Sequence, residues 1–173
     1  MHKKIAFIGS VGSGKTTIIN ELSSIDTINT DVESSIDIGK QFTTVGIDYG
    51  HINLGDDMSI GLYGVPGQKR FSFVWDFVNE GLWAVVILIK NGDKESLKDM
   101  AFLMKYFKVD QDSTCVVGIT HAEGNEVEPF TQEVRQLAEQ FNVDLPIYHV
   151  DARDKNSAML IMNTLIAIKE IQE

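Results

Sequence analysis

The chain has 173 residues, of which 25 are acidic and 15 are basic, and its formal net charge is −10. This acidic balance argues against nucleic acid or an anionic membrane as the main partner. The length is enough for one domain with a sizeable core, so a single domain over residues 1–173 is expected. The one cysteine, Cys115, excludes a disulfide framework, and its apolar neighbours predict a buried thiol.

The predicted elements alternate between short apolar runs, typical of strands, and stripes of apolar residues at helical spacing. In chain order they are strand 3–9, helix 15–24, strand 44–53, strand 58–63, helix 71–78, strand 83–89, helix 97–107, strand 114–119, helix 130–141, strand 146–150 and helix 161–171. Residues 25–42 are polar and irregular, and connections of that length are usually functional or mobile. A hairpin turn is predicted at Gly55, Asp56 and Asp57.

This alternation predicts an α/β protein of three layers, with helices on both faces of one sheet. The sheet is expected to have six strands, mostly parallel, with one antiparallel edge hairpin. In sheets of this kind a ligand binds at the carboxyl ends of the strands. Residues that follow the predicted strands are therefore the candidates for a functional site.

The segment GSVGSGKT at residues 9–16 fits the phosphate-binding pattern G-x-x-x-x-G-K-[ST] at every fixed position. It follows a strand and opens a helix, so its backbone N–H groups and the helix dipole can hold an anion. Lys15 is expected to reach the β- and γ-phosphates, and the Thr16 hydroxyl is expected to ligate Mg²⁺. The predicted phosphate-contacting residues are Gly9, Val11, Gly12, Ser13, Gly14, Lys15, Thr16 and Thr17.

Two further loops carry residues suited to the terminal phosphate. Thr44, at the end of the polar connection, is predicted to bind Mg²⁺ and the γ-phosphate, and to hold its loop closed when a triphosphate is present. Gly67 is predicted to offer its N–H to the γ-phosphate, and Gln68 to orient an attacking water. The alternatives are a β-branched strand entry at Thr44 and a solvated turn at Gln68.

The last two strands are followed by loops that could read a base. A carboxylate at Glu123 can accept two hydrogen bonds from guanine, whereas adenine lacks the matching donors. Thr120 and His121 precede it, and His121 lies either over the base plane or in solvent. Asp151, Ala152 and Arg153 follow the last strand, where a backbone N–H near Ala152 could donate to guanine O6. The alternative for the Glu123 loop is a solvated polar turn.

Taken together, these loops resemble those of the Ras-like small GTPases, in the same order and over essentially the whole chain. The runs LYGVPGQKRF at 62–71 and GITH at 118–121 look like a bacterial branch related to MglA-type GTPases, which is associated with roadblock-type proteins. The resemblance implies a P-loop small GTPase fold, GTP/GDP and Mg²⁺ as ligands, and a protein activator and effector. It also implies switch surfaces at 24–44 and 64–81, the second with Trp75 in the core and Phe73 as a candidate partner contact.

Three residues depart from the usual pattern of that family. Gly64 stands where an aspartate normally supports Mg²⁺, and Asp48 is a candidate replacement. Glu123 replaces the shorter aspartate that normally reads guanine. Val11 is a branched residue where a small one normally lies near the γ-phosphate, so it could crowd the attacking water or an arginine.

The resulting expectation is a GTP-binding switch that hydrolyses GTP slowly, with Gln68 and Lys15 as its catalytic residues. The second hypothesis is a degenerate module that binds nucleotide with little or no hydrolysis. A third, a P-loop kinase, is disfavoured because the three arginines, Arg70, Arg135 and Arg153, form no arginine-rich lid. With no leader, long apolar span or lipidation pattern in the sequence, a cytoplasmic protein without a direct membrane anchor is expected.

Overall fold

The computed structural model describes residues 2–33, 44–55, 57–123 and 126–172. Strands alternate with helices along the chain, as the sequence predicts. The strands are β1 (His2–Gly9), β2 (Ile28–Glu33), β3 (Thr44–Asn53), β4 (Ser59–Pro66), β5 (Leu82–Lys90), β6 (Cys115–Thr120) and β7 (Ile147–His149). The helices are α1 (Lys15–Leu22), α2 (Ser72–Asn79), α3 (Lys94–Tyr106), α4 (Glu128–Gln140) and α5 (Lys155–Gln172), and a 3₁₀ turn at Lys69–Phe71 precedes α2.

The strands form one sheet in the order β2-β3-β4-β1-β5-β6-β7. β4, β1, β5, β6 and β7 are parallel, whereas β2–β3 and β3–β4 pair antiparallel at one edge. The α/β class, the mostly parallel sheet and its antiparallel edge are therefore confirmed.

The prediction of six strands is wrong, because the sheet has seven. The additional strand is β2, within the segment predicted to be irregular. Its sequence, INTDVE, is mostly polar, and it pairs on one side alone with β3, from Ile28 opposite Tyr49 to Glu33 opposite Thr44. An edge strand need not show the apolar alternation that identifies a half-buried one. Residues 34–42 of that segment, Thr43, and Asp56 of the predicted hairpin turn lie outside the described residues.

The core has two halves, one on each face of the sheet, and β1 contributes to both. Ile5 and Phe7 point to the face covered by α1 and α5, and Ala6 and Ile8 point to the face covered by α2, α3 and α4. This alternation follows from the two-residue period of a strand, and all four side chains are fully buried. The three-layer arrangement is thus confirmed, as are the buried thiol of Cys115 and the core position of Trp75.

The carboxyl ends of β1, β4, β5 and β6 lie at the same edge of the sheet, because these neighbouring strands are parallel. Gly9 is opposite Pro66 of β4 and Leu88 of β5 in the register. The loops that carry the predicted site residues therefore converge on the end of β1. No helix among the described ranges is long and apolar enough to cross a membrane.

Candidate functional site

The loop from β1 to α1 has the sharp turns that its glycines permit. Gly12 and Gly14 have φ of 73° and 100°, in the left-handed region that other residues rarely adopt. Gly14 caps the N-terminus of α1, and its carbonyl accepts the first helical hydrogen bond from Ile18 at 2.9 Å. The loop and the helix N-terminus thus form the cradle that the sequence predicts.

The ammonium group of Lys15 bends back over this loop. Its Nζ donates to the carbonyl oxygens of Gly9 and Ser10, both at 2.8 Å. Burial lowers the pKa of Lys15 to about 8, an effect that nearby Asp48 opposes and nearby Lys90 reinforces. The burial cost of this charge would be offset by an anion seated in the loop.

The carbonyl of Gly9 also accepts a hydrogen bond from the backbone N–H of Gly67, at 2.9 Å. A Cβ at Gly67 would lie 3.1 Å from the Cα of Gly9, so a side chain there would press on the loop. In this arrangement the N–H that the sequence assigns to a γ-phosphate is bonded to the loop itself. A triphosphate would therefore have to draw Gly67 away from Gly9.

Gln68, next in the chain, carries a buried acceptor that has no hydrogen bond. Its Oε1 is shielded from solvent and has no partner in the part of the chain that the structure describes. A buried amide oxygen without a donor is uncommon, because the lost hydration is not replaced. An ordered water placed at this oxygen would satisfy it.

The hydroxyl of Thr16 donates a hydrogen bond to the carboxylate of Asp48 in β3. The other carboxylate oxygen accepts from Asn29 Nδ2 at 3.3 Å, across the β2–β3 pair. Asp48 lies directly opposite Gly64 in the β3–β4 register. A Cβ at Gly64 would lie 3.3 Å from Asp48 Oδ2 and 2.9 Å from Ile19 Cδ1. Asp48 therefore occupies the space beside Thr16 that a side chain at position 64 would enter.

A hydroxyl and a carboxylate are the hard oxygen donors that Mg²⁺ prefers, with the remaining positions filled by water and phosphate. The described residues contain no group of three or more His, Cys, Asp or Glu side chains that could hold a metal by themselves. The residues present thus fit a magnesium ion shared with a phosphate ligand. Thr44, the other predicted ligand, begins β3 opposite Glu33 of β2.

The loops that follow β6 and β7, which the sequence predicts to read a base, line an open cleft of about 760 Å³ beside the glycine-rich loop. Its walls include most of the predicted binding residues: Gly12, Gly14, Lys15, Thr16, Thr17, Thr120, His121, Glu123, Asp151, Ala152 and Arg153. Among the predicted residues whose side chains the structure describes, Gly9, Val11, Ser13, Gly67 and Gln68 do not line this cleft. Val11 is 75% exposed, and the Ser13 hydroxyl is buried without a partner among the described residues.

Thr120 and His121, at the end of β6, connect the predicted base-reading loop to the glycine-rich loop. The Thr120 hydroxyl donates to the carbonyl of Ser13 at 2.8 Å, and His121 Nε2 lies 2.8 Å from the carbonyl oxygen of Gly12. Since a carbonyl can only accept, His121 Nε2 carries the proton in this contact. His121 has φ of 56°, a backbone conformation uncommon outside glycine. The two loops are therefore held together before any ligand is present.

Arg153 connects two carboxylates at the far end of the cleft. Its Nη2 donates to Glu123 Oε1 at 2.6 Å and to Asp151 Oδ2 at 3.0 Å, and its Nε donates to Asp151 Oδ1 at 3.0 Å. These hydrogen bonds hold the pKa of Asp151 well below its usual range and raise that of Arg153. The carboxylate predicted to read guanine is thus bound to an arginine of the last base loop.

Sequence reasoning missed some residues that adjoin the site. Val127 and His149 line the cleft, and Lys90 reaches the glycine-rich loop from the end of β5. The available signal for Lys90 was its position, because it directly follows the predicted strand 83–89, whose end adjoins the loop. Phe73, the predicted partner contact, is partly buried against the core, whereas Phe77 one turn later is 56% exposed.

A parallel-stranded sheet with a glycine-rich loop, a lysine and a threonine at the start of the first helix defines a P-loop nucleotide-binding protein. A family model described as "50S ribosome-binding GTPase" matches residues 4–166, so the chain belongs to this family of P-loop GTPases. It is also similar to the uncharacterized protein MJ1339 of Methanocaldococcus jannaschii. The two are 36% identical over 101 residues, which are 55% of this chain and 59% of that relative, so the match spans less than two thirds of the relative's length.

Proposed function

We propose that the chain is a GTP-dependent molecular switch that hydrolyses GTP slowly to GDP and phosphate. The observation that carries the proposal is the hydrogen bond from the Thr16 hydroxyl to the Asp48 carboxylate, opposite Gly64. It places a carboxylate beside the P-loop threonine, where the usual aspartate is missing.

In the proposed site Mg²⁺ supplies charge neutralisation on the β- and γ-phosphates when it is bound. Thr16 and Thr44 would ligate it directly, and Asp48 would hold its water in place of the absent aspartate at position 64. Lys15 would move from the carbonyls of Gly9 and Ser10 onto the phosphates. The phosphates would thereby relieve the burial cost that lowers its pKa.

Gln68 would orient the water that attacks the γ-phosphate in line. Its Oε1 is buried and has no partner among the described residues, so the side chain would turn toward the γ-phosphate to accept a hydrogen bond from such a water. The developing charge would be stabilised by Lys15 and by backbone N–H groups of the loop. Release of Gly67 from Gly9 would accompany binding of the triphosphate, which would give the segment two states.

Slow hydrolysis is proposed because the arginines are engaged away from the P-loop. Arg153 is bound to Glu123 and Asp151, the Arg70 guanidinium lies 4.7 Å from the Phe71 ring centroid, and Arg135 is exposed on α4. An arginine supplied from outside is worth on the order of 10³–10⁵ in rate in the small GTPases. We therefore propose a separate activating protein, of roadblock type as the resemblance to MglA-type GTPases implies.

The proposed partner surfaces are residues 24–44 and 64–81, of which 34–43 lie outside the described residues. Exposed Arg70 and Phe77 in the second segment support a protein partner. The family description names the ribosome, but a formal charge of −10 opposes contact with an RNA surface. The proposal also includes a single GTPase domain over residues 1–173 and a cytoplasmic location.

A degenerate module that binds nucleotide with little or no hydrolysis is the second candidate. Two contacts favour it: the N–H of Gly67 is bonded to Gly9, and Glu123 is bonded to Arg153. Single-turnover hydrolysis of preloaded GTP separates the two candidates. The switch proposal expects slow release of phosphate that is lost in Gln68→Ala while GTP stays bound. Equal rates in wild type and variant would favour the module.

A further inference from the structure

A second lysine, which is not among the predicted site residues, lies at the P-loop. Lys90 is the last residue of β5, and its ammonium group lies beside Gly12. A Cβ built on Gly12 would be 3.1 Å from Lys90 Nζ and 3.4 Å from Lys90 Cε. The position is partly buried, so the side chain rests on the loop rather than extending into solvent.

The backbone that presents Lys90 is fixed on both sides. The Asn91 N–H donates to the Thr120 carbonyl at 2.8 Å, and the Asp93 N–H donates to the Lys90 carbonyl at 3.1 Å. Asp93 in turn caps α3, accepting from the N–H groups of Glu95 and Ser96. The ammonium group is therefore carried by a short, hydrogen-bonded turn, which limits the entropy lost when it binds a ligand.

Two lysines contact this loop: Lys15 bonds to the carbonyls of Gly9 and Ser10, and Lys90 lies beside Gly12. Lys90 forms no ion pair with any residue of the described ranges. Asp93, whose pKa Lys90 helps to lower, accepts hydrogen bonds from Glu95 and Ser96. Placing two ammonium groups together is unfavourable unless an anion joins them. In a chain of net charge −10, this local concentration of positive charge calls for a specific anion.

We propose that Lys90 is a second phosphate-binding lysine, which reaches the P-loop from the end of β5 and stabilises the phosphate chain of the bound guanine nucleotide. The inference rests on the proposed nucleotide site but adds a residue to it. Because Lys90 adds charge rather than a base contact, its contribution grows with the number of phosphates. It acts on retention of the nucleotide and not on the choice of base.

The test is equilibrium binding of GMP, GDP and a non-hydrolysable GTP analogue, with Mg²⁺, to wild type and three variants. Lys90→Met keeps the aliphatic length and removes the charge, and Lys90→Arg keeps the charge. Lys98→Met is the matched control, because Lys98 is exposed on α3 and pairs with Glu95. For Lys90→Met we expect GDP and GTP-analogue binding to weaken by about 10-fold or more, with faster GDP release, and GMP binding to change least.

Lys90→Arg is expected to retain GDP binding within a few fold, and Lys98→Met to match wild type. An equal loss for all three nucleotides would show a structural role and overturn the inference, as would a change below about twofold for GDP. These outcomes are separable from failure of the proposed function. If wild type bound GDP but Lys90→Met bound it equally well, the Lys90 inference alone would fall. If wild type bound no nucleotide, both would fall.

Discussion

Asp48 of β3 lies directly opposite Gly64 of β4, and its carboxylate accepts a hydrogen bond from the Thr16 hydroxyl. Gly64 stands where the family resemblance places an aspartate that supports Mg²⁺. We propose that Asp48, directly across the ladder on the neighbouring strand, takes the role of that aspartate. The absence of a side chain at Gly64 leaves the space that the Asp48 carboxylate uses, since a Cβ there would lie 3.3 Å from Asp48 Oδ2.

Replacing Asp48 with Asn is expected to weaken Mg²⁺ binding to the GDP complex by about 10- to 100-fold, the usual effect of losing an outer-shell carboxylate. The amide keeps the shape but removes the negative charge that would hold the metal's water. The measurement is the Mg²⁺ concentration at which release of fluorescent GDP is half suppressed. Asp112→Asn, an exposed carboxylate before β6, is the control. Unchanged Mg²⁺ dependence in Asp48→Asn would assign that carboxylate a purely structural role.

Replacing Gln68 with Ala is expected to slow single-turnover GTP hydrolysis on the order of 10²-fold, because the water would lose the acceptor that orients it. GDP affinity should stay the same, since Gln68 does not line the cleft. Rapid mixing with a phosphate sensor gives the rate, and fluorescent GDP gives the affinity. Parallel losses in both quantities would contradict the assigned role. Exposed Gln132, bonded to Glu128 on α4, offers Gln132→Ala as a control.

Nucleotide binding is expected to be coupled to proton uptake at Lys15. Burial lowers the pKa of this lysine to about 8 in the nucleotide-free protein, whereas bound phosphates favour its charged form. Below pH 8 the lysine is already charged and no proton is needed. As the pH rises above 8, binding must recruit a proton, so GDP affinity falls.

Calorimetric titration with GDP at pH 8.5, in two buffers of different ionisation enthalpy, measures that uptake. The expected result is uptake of a large fraction of a proton at pH 8.5 and much less at pH 7. Lys15→Arg, which stays charged, should abolish the difference between the two pH values. Proton release at pH 8.5 in the wild type would contradict the assigned state of Lys15.

Gly14→Ala and Gly55→Ala separate crowding from backbone strain. Both glycines have a positive φ, of 100° and 88°, but a Cβ at Gly14 would lie 2.8 Å from Ala152 Cβ, whereas a Cβ at Gly55 would have no described atom within 4 Å. We expect Gly55→Ala to lower the free energy of unfolding by about 1 kcal/mol and Gly14→Ala by at least about 1 kcal/mol more. Urea denaturation of the nucleotide-free proteins compares them. Equal losses would show that the contact with Ala152 relaxes at no cost.

The fold could be predicted from sequence wherever an element is buried. The runs that became β1, β5 and β6 are apolar because both faces of these strands pack under helices. The strand β2 escaped prediction because an edge strand with a polar sequence leaves no periodic signal. The glycine-rich loop was recognisable because its chemistry requires particular residues at fixed spacing.

The candidate site was harder to predict, because its contacts join residues far apart in the chain. Asp48 could be named as a replacement for the missing aspartate, but its register opposite Gly64 depends on β3–β4 pairing. Neither the bond of Arg153 to Glu123 nor the approach of Lys90 to Gly12 has a signature in spacing. Each depends on how neighbouring strand ends are aligned, which tertiary structure alone decides.

We propose that the cleft reads guanine through Glu123. The most direct test is equilibrium binding of fluorescent GDP, GTP and ATP to wild type and Glu123→Ala. Asp154→Ala, in the last base loop but outside the cleft lining, serves as control. The account predicts tight Mg²⁺-dependent binding of GDP and GTP, weak binding of ATP, and loss of the guanine preference in Glu123→Ala alone. Equal binding of ATP and GTP by the wild type, or an unchanged guanine preference in Glu123→Ala, would contradict it.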